Sequence, residues 1–258
     1  MAIDFTLDDD GVALITIDRP ERLNALDQQA YADLSAAWCR VRDDEAVRCA
    51  IVTGAGEKSF CVGADIKSFL TKAPTMAEVW MTQKDQILNR GLEVWKPVIA
   101  AVNGYCLGGG MTLLMATDLR LAAPHATFSL AEVKRGVIPG NGGTQRVLKQ
   151  LPYPIAMEML LTGDAIDAEA AARWGLINRV VAKESLLDEA KALARRVAAN
   201  APLAVQAAKE LAVRGGDMPL TAGLRMEQLV NRLLAESEDA KEGPAAFAEK
   251  RPPKFKGA

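Results

Sequence analysis

The sequence of 258 residues predicts an α/β fold. Two observations carry that reading. Apolar, β-branched runs recur between residues 11 and 130, with helical apolar spacing between them. After about residue 150 the strand signal fades and alanine-rich helical segments take over. Strands alternating with helices point to parallel pairing, with the later helices as an appendage.

The elements follow in order. "GVALITIDRP" (11–20) is a strand stopped by Pro20. "ALDQQAYADLSAAWCRVR" (25–42) sets Ala30, Leu34, Ala37, Trp38 and Val41 at helical spacing. "RCAIVTGAG" (48–56) and "KPVIAAVNG" (96–104) are strands ending in glycine, and "LRLAAP" (119–124) and "ATFSL" (126–130) are shorter ones. "YPIAMEMLLTG", "DAEAAARWGL", "ESLLDEAKALARRVAANAP" and "PLTAGLRMEQLVNRLLAES" all read as helices, interrupted only by the β-like "INRVV" (177–181). No internal repeat is visible in the sequence.

Composition narrows the function. The chain is 50% hydrophobic and 25% charged, with a net charge of −2 and no long block of either sign. That argues against a nucleic-acid or membrane-surface protein. No apolar run reaches the roughly 18 residues of a membrane span, and the acidic start "MAIDFTLDDDG" does not read as a signal peptide. Cys39, Cys49, Cys61 and Cys106 lack metal-ligand spacing, which points to a reducing, cytoplasmic compartment. Cys61 and Cys106 read as small buried thiols rather than nucleophiles.

Three consecutive glycines, Gly108 to Gly110, separate a strand from a helix in "VNGYCLGGGMTLL". The segment fails the dinucleotide pattern G-x-G-x-x-G, because Leu113 stands at the third glycine. "GAGEKS" likewise lacks phosphate-loop spacing. Close helix packing alone would ask for one or two glycines. A helix start with a bare main chain suits a developing oxyanion, and "SFCVGADIK" (59–67) is the candidate for a second donor. The acid–base candidate is Glu132, set among small and apolar residues, with an ion pair to Lys134 or Arg135 as the equal alternative. His125 is the only histidine, in a turn-like "APHATF" and without a nucleophile elbow, so a serine or cysteine triad is disfavoured.

Taken together, "ITIDRPERLNAL", "FCVGADIK", "KPVIAAVNGYCLGGG", "ATFSLAEVKRGVIPGNGGTQR", "LTGDAIDAEAAARWGLINRVV" and "EGPAAFAEKRPPKFKGA" resemble the crotonase, or enoyl-CoA hydratase/isomerase, superfamily along nearly the whole chain. The resemblance implies a spiral of ββα units over residues 1–195. It implies a helical oligomerisation region over 196–258, assembled as a trimer or a dimer of trimers. It implies an acyl-CoA thioester as substrate, with coenzyme A part of that substrate and no separate cofactor or metal. It places oxyanion donors on the N–H groups of Ala64 and Gly109. It lays Arg22, Ala25, Leu26, Ala64, Asp65, Ile66, Lys67 and Gly109 along the CoA, with the basic tail from Lys254 to Lys256 near its phosphates.

One position departs from the family. Two-glutamate members carry G-G-G-x-E and a second glutamate 20 residues later. Here Thr112 takes the first place and Glu132 keeps the second. The resemblance thus implies a hydratase or isomerase working with a single glutamate. Gly140 stands where some isomerases of the family place an aspartate, which disfavours that subtype. The alternatives are a hydratase–lyase or other enolate chemistry on an aromatic or carnitinyl-type acyl group, or a binder without turnover.

Overall fold

A computed structural model describes residues 2–69 and 86–258. Its strands are β1 (Ile3–Leu7), β2 (Val12–Ile17), β3 (Cys49–Gly54), β4 (Ser59–Cys61), β5 (Val98–Val102), β6 (Tyr105–Leu107), β7 (Leu119–Ala122), β8 (Thr127–Ser129), β9 (Ile166–Asp167) and β10 (Arg179–Val180). They form a six-stranded sheet in the order β1-β2-β3-β5-β7-β10 and a four-stranded sheet in the order β4-β6-β8-β9. All neighbours are parallel except the β1–β2 hairpin and the β8–β9 pair.

The connectivity is a repeat that the sequence conceals. Each of β3, β5 and β7 lies in the large sheet, and the strand that follows it (β4, β6, β8) lies in the small one. Short helices α2 (Ile66–Phe69) and α3 (Gly109–Leu114) follow β4 and β6, and a 3-10 turn, Ala131–Arg135, follows β8. The expected spiral of ββα units is this alternation.

The central strands of the large sheet are buried on both faces, so they read as nearly unbroken apolar runs. Ala50, Val52, Val98, Ala100 and Val102 face the main core, together with Phe60, Met111 and Phe128. The alternate residues Cys49, Ile51, Ile99, Ala101 and Leu121 face α7 (Leu186–Ala198). That helix presents Leu186, Ala190, Ala194 and Ala198, four residues apart, and their small side chains let it lie close on the strands. Helix α1 (Gln28–Asp43) is capped by the Asp27 carboxylate, which accepts from the Ala30 N–H at 2.9 Å. All five of its anticipated apolar positions are buried.

Two expectations change. Helix α4 (Gly143–Gln150) puts Val147 in the main core, and α5 (Tyr153–Thr162) and α6 (Ala168–Arg173), expected in the appendage, join that core through Ala156, Met159, Ala168 and Ala171. Helix α7 runs across the 195/196 boundary. Burial changes only afterwards: α8 (Pro202–Gly215) and α9 (Leu220–Leu234) contain no buried residue, and α10 (Glu238–Ala248) buries only Asp239 and Ala246. Among the described residues no helix is long and apolar enough to cross a membrane.

Candidate active site

The site forms where two loops meet the start of α3. Leu26 and Ala64 make an isolated parallel bridge: the Leu26 N–H donates to Gly63 O, and the Asp65 N–H donates to Leu26 O, both at 2.8 Å. Buried Asn24 anchors the first loop by donating from Nδ2 to Ser59 O at 2.7 Å and Ala55 O at 3.0 Å. Arg19 fastens both loops, donating to Ala25 O and pairing with Asp27 at 2.7 Å and Asp65 at 3.8 Å. Ala25 and Leu26 are therefore buried, while Arg22, Ala64, Ile66 and Lys67 are exposed along the rim.

Gly63 lies directly against Gly109. A Cβ built on Gly63 would stand 2.6 Å from the Gly109 nitrogen. One built on Gly109 would stand 3.0 Å from Gly63 Cα and 3.6 Å from the Ala64 nitrogen. Two main-chain N–H groups, Ala64 and Gly109, are thus side by side, and neither has an acceptor among the described residues.

The three glycines have three different reasons. Gly108 has φ +53°, and a Cβ on it would meet Glu132 Oε1 at 3.3 Å. Gly109 allows the contact with Gly63 and leaves the approach to its N–H open. Gly110 is a packing glycine, since a Cβ there would fall 2.0 Å from Cys61 O. Close packing does account for one of the three.

Glu132 sits in the 3-10 turn after β8, half-buried, with its carboxylate against Gly108. Burial raises its pKa above the ordinary glutamate value. The alternative ion pairs are not made: Lys134 pairs with Asp164 at 2.6 Å, and Arg135 donates to Ala131 O. Glu132 Oε2 is buried without a hydrogen-bond partner among the described residues.

Thr112 lies in α3, one turn after Gly108, and is buried. Its hydroxyl donates to Gly109 O at 3.0 Å and accepts from Asn89 Nδ2 at 2.7 Å. Asn89 is a site residue that sequence reasoning missed. It falls in "LNRG", a stretch without periodicity or motif, and only the fold brings it to Thr112.

The remaining candidates stand outside this cluster. His125 is exposed, and its Nε2 contacts only the main-chain oxygens of Glu57 and Asn103 among the described residues. Cys61 and Cys106 are fully buried, and burial pushes the Cys61 thiol up to about 12 and Cys106 well above its ordinary value. Neither is a thiolate at neutral pH. The tail containing Lys254 and Lys256 is folded onto α10, where the Asp239 carboxylate accepts the Lys256 and Gly257 N–H groups at 2.7 and 2.8 Å. A charged cleft of about 1010 Å³ lies between Asp9–Gly11, the 42–48 turn and the start of α8. Several of its charged side chains are engaged locally: Arg195 pairs with Asp10, Arg42 pairs with Asp43, and Arg48 donates to the Phe255 carbonyl.

Comparison with known proteins identifies the family. Residues 8–258 match the family model described as enoyl-CoA hydratase/isomerase. The chain is 46% identical over 247 residues to (E)-benzylidenesuccinyl-CoA hydratase of Thauera aromatica, covering 96% of each chain. It is 43% identical to carnitinyl-CoA dehydratase of Salmonella arizonae, covering 94% of each. An enoyl-CoA hydratase/isomerase structure from Mycobacterium abscessus superposes with TM-score 0.89 at 40% identity over 100% of both chains. An enoyl-CoA hydratase structure from Mycobacterium tuberculosis superposes with TM-score 0.91 at 36% identity, covering 100% of this chain and 99% of the other. The chain belongs to the enoyl-CoA hydratase/isomerase family and is an acyl-CoA enzyme of that family.

Proposed function

We propose that the protein adds water to, or removes it from, the 2,3-position of an acyl-CoA, with Glu132 as its one acid–base residue. The observation that carries this is the adjacency of two unpaired N–H groups, Ala64 and Gly109, to a half-buried carboxylate resting on Gly108. In the hydration direction Glu132 takes a proton from water as the water oxygen bonds to C3. The electron pair of the double bond moves through C2 onto the thioester oxygen, held by the two N–H groups. Glu132 then returns the proton to C2. Each such donor is worth about 3–4 kcal/mol in a transition state.

The exposed rim of Arg22, Ala64, Ile66 and Lys67, with half-buried Asp65 beside it and buried Ala25 and Leu26 beneath, takes the CoA, and Arg22 and Lys67 are its exposed cations. The reaction needs no cofactor beyond the CoA carried by the substrate. The relatives' names favour a substituted acyl group, of benzylidenesuccinyl or carnitinyl type, over a plain fatty acyl chain. The test is a screen of (E)-benzylidenesuccinyl-CoA, carnitinyl-CoA and crotonyl-CoA, reading water addition or loss separately from double-bond migration. Water chemistry on a substituted thioester, faster than on crotonyl-CoA, is expected. Migration without water exchange overturns the reading in favour of an isomerase, and binding without turnover overturns it in favour of a binder.

The protein works in the cytoplasm as a trimer or dimer of trimers. The support is apolar surface on the last helices: Leu220, Leu233 and Phe247 are 76%, 75% and 88% exposed. Light scattering at micromolar concentration is expected to give three or six times the 27.6 kDa chain mass. A monomer there refutes the assembly.

A further inference from the structure

Resting on that reading, we propose that Asn89 is a catalytic residue that takes over part of the task of the missing glutamate: its Oδ1 accepts a hydrogen bond from the oxygen being added at or removed from C3. The chain offers two orphaned acceptors at this site, Asn89 Oδ1 and Glu132 Oε2, both buried without partners among the described residues.

The orientation of the Asn89 amide follows from its neighbours. The Thr112 hydroxyl has one proton, and it points at Gly109 O at 3.0 Å. The hydroxyl must therefore accept from Asn89, and the Nδ2–Oγ1 distance of 2.7 Å fits. The opposite amide flip would take the Thr112 proton from Gly109 and leave two amide N–H groups without an acceptor. Oδ1 consequently faces away from Thr112 as a pure acceptor.

The asparagine is held in place independently. It is 4% exposed, in a turn where the Arg90 N–H donates to Ile87 O at 2.7 Å. Ile87 and Leu88 beside it are buried, and Arg146 reaches its carbonyl oxygen at 3.5 Å. Its side chain abuts α3 at Thr112, whereas Glu132 abuts the same chain at Gly108. One helical turn of main chain, about 5–6 Å, separates these two contact points at the start of α3.

A buried acceptor without a donor is costly, so the fold carries it for a donor that arrives with the substrate. In dehydration that donor is the 3-hydroxyl of the acyl group. In hydration it is the hydrogen of water that Glu132 does not take. Asn89 accepts this hydrogen bond and exchanges no proton. Thr112, its hydroxyl already engaged, positions Asn89.

The experiment separates water handling from C2 proton chemistry. Asn89→Ala and the near-isosteric Asn89→Leu are compared with the parent in two assays. One is hydration of (E)-benzylidenesuccinyl-CoA. The other is deuterium uptake at C2 of benzylsuccinyl-CoA in D2O, which needs Glu132 and the two N–H donors but no water at C3. Hydration is expected to fall at least about tenfold while uptake stays within threefold, in whichever of the two variants keeps the parent's melting temperature. Hydration within threefold of the parent overturns the proposal. An equal fall in both assays also overturns it, because Asn89 then shapes the site as a whole. A parent that shows neither hydration nor uptake removes the underlying acid–base reading, a failure visible before any variant is made.

Discussion

Glu132→Gln is expected to lower turnover by about 10²–10⁴-fold while leaving the fold and CoA binding in place. No second carboxylate stands ready at position 112, so the loss has no local substitute. Steady-state kinetics and CoA affinity measured together check this, and near-normal turnover in the folded variant refutes the role. The parent's hydration rate should also fall as pH drops through the Glu132 pKa, which burial places above the ordinary value. The stability effect has the opposite sense. A raised pKa means that the folded protein holds the proton more tightly than the unfolded chain. That contribution is complete below the unfolded value of about 4.3 and is lost as pH rises through the folded one. At neutral pH the ionised, half-buried carboxylate burdens the fold, so Glu132→Gln should melt at or above the parent temperature. The difference should vanish in acid. A variant markedly less stable at pH 7 would show that Glu132 is a structural anchor.

Gly109→Ala and Gly110→Ala, one residue apart, are expected to fail in different ways. On Gly109 the methyl would enter the space beside the Ala64 nitrogen and displace one oxyanion donor, costing about 10²–10³-fold in turnover. The 3.0 Å contact with Gly63 asks for only a few tenths of an ångström of movement, so melting should change little. On Gly110 the methyl would fall 2.0 Å from the Cys61 carbonyl, backbone against backbone, with nothing flexible to yield. Overpacking of this kind costs about 1–3 kcal/mol or more, several degrees in melting temperature for a chain of this length. Calorimetry and kinetics on the two variants give the comparison. Equal melting temperatures and equal rates would mean that the three glycines act as one flexible loop.

The clearest strands in the sequence were those buried on both faces, and the short β8 and the edge strand β10 were read as well. β2, β3, β5 and β7 read as strands because the large sheet is covered by the main core on one side and α7 on the other. β1 was missed because it is an edge strand whose Asp4 and Thr6 are outside the core. β6 is three residues between glycines, too short for any periodicity, although it leads straight into Gly109. The helices after residue 150 were recognised as helices but misplaced as a group, since composition does not report which of them meet the core. In the site, Glu132, Ala64, Gly109 and Thr112 were nameable through the family resemblance, and the fold gathers them. Asn89 was not, because an asparagine in a short turn acquires meaning only through what lies across from it.

The pairing of Ala64 with Gly109 has a consequence for how this scaffold can change its chemistry. A main-chain N–H is present whatever side chain the codon specifies, proline excepted, so point substitution displaces the oxyanion donors far more readily than it deletes them. In the mechanism proposed above, proton and water handling is by contrast written entirely in side chains, at positions 89, 112 and 132. The apparatus that steadies negative charge is therefore inherited with the backbone, while the groups that select the reaction are free to be rewritten one at a time. The side chain at position 112 can thus change without dismantling the backbone donors.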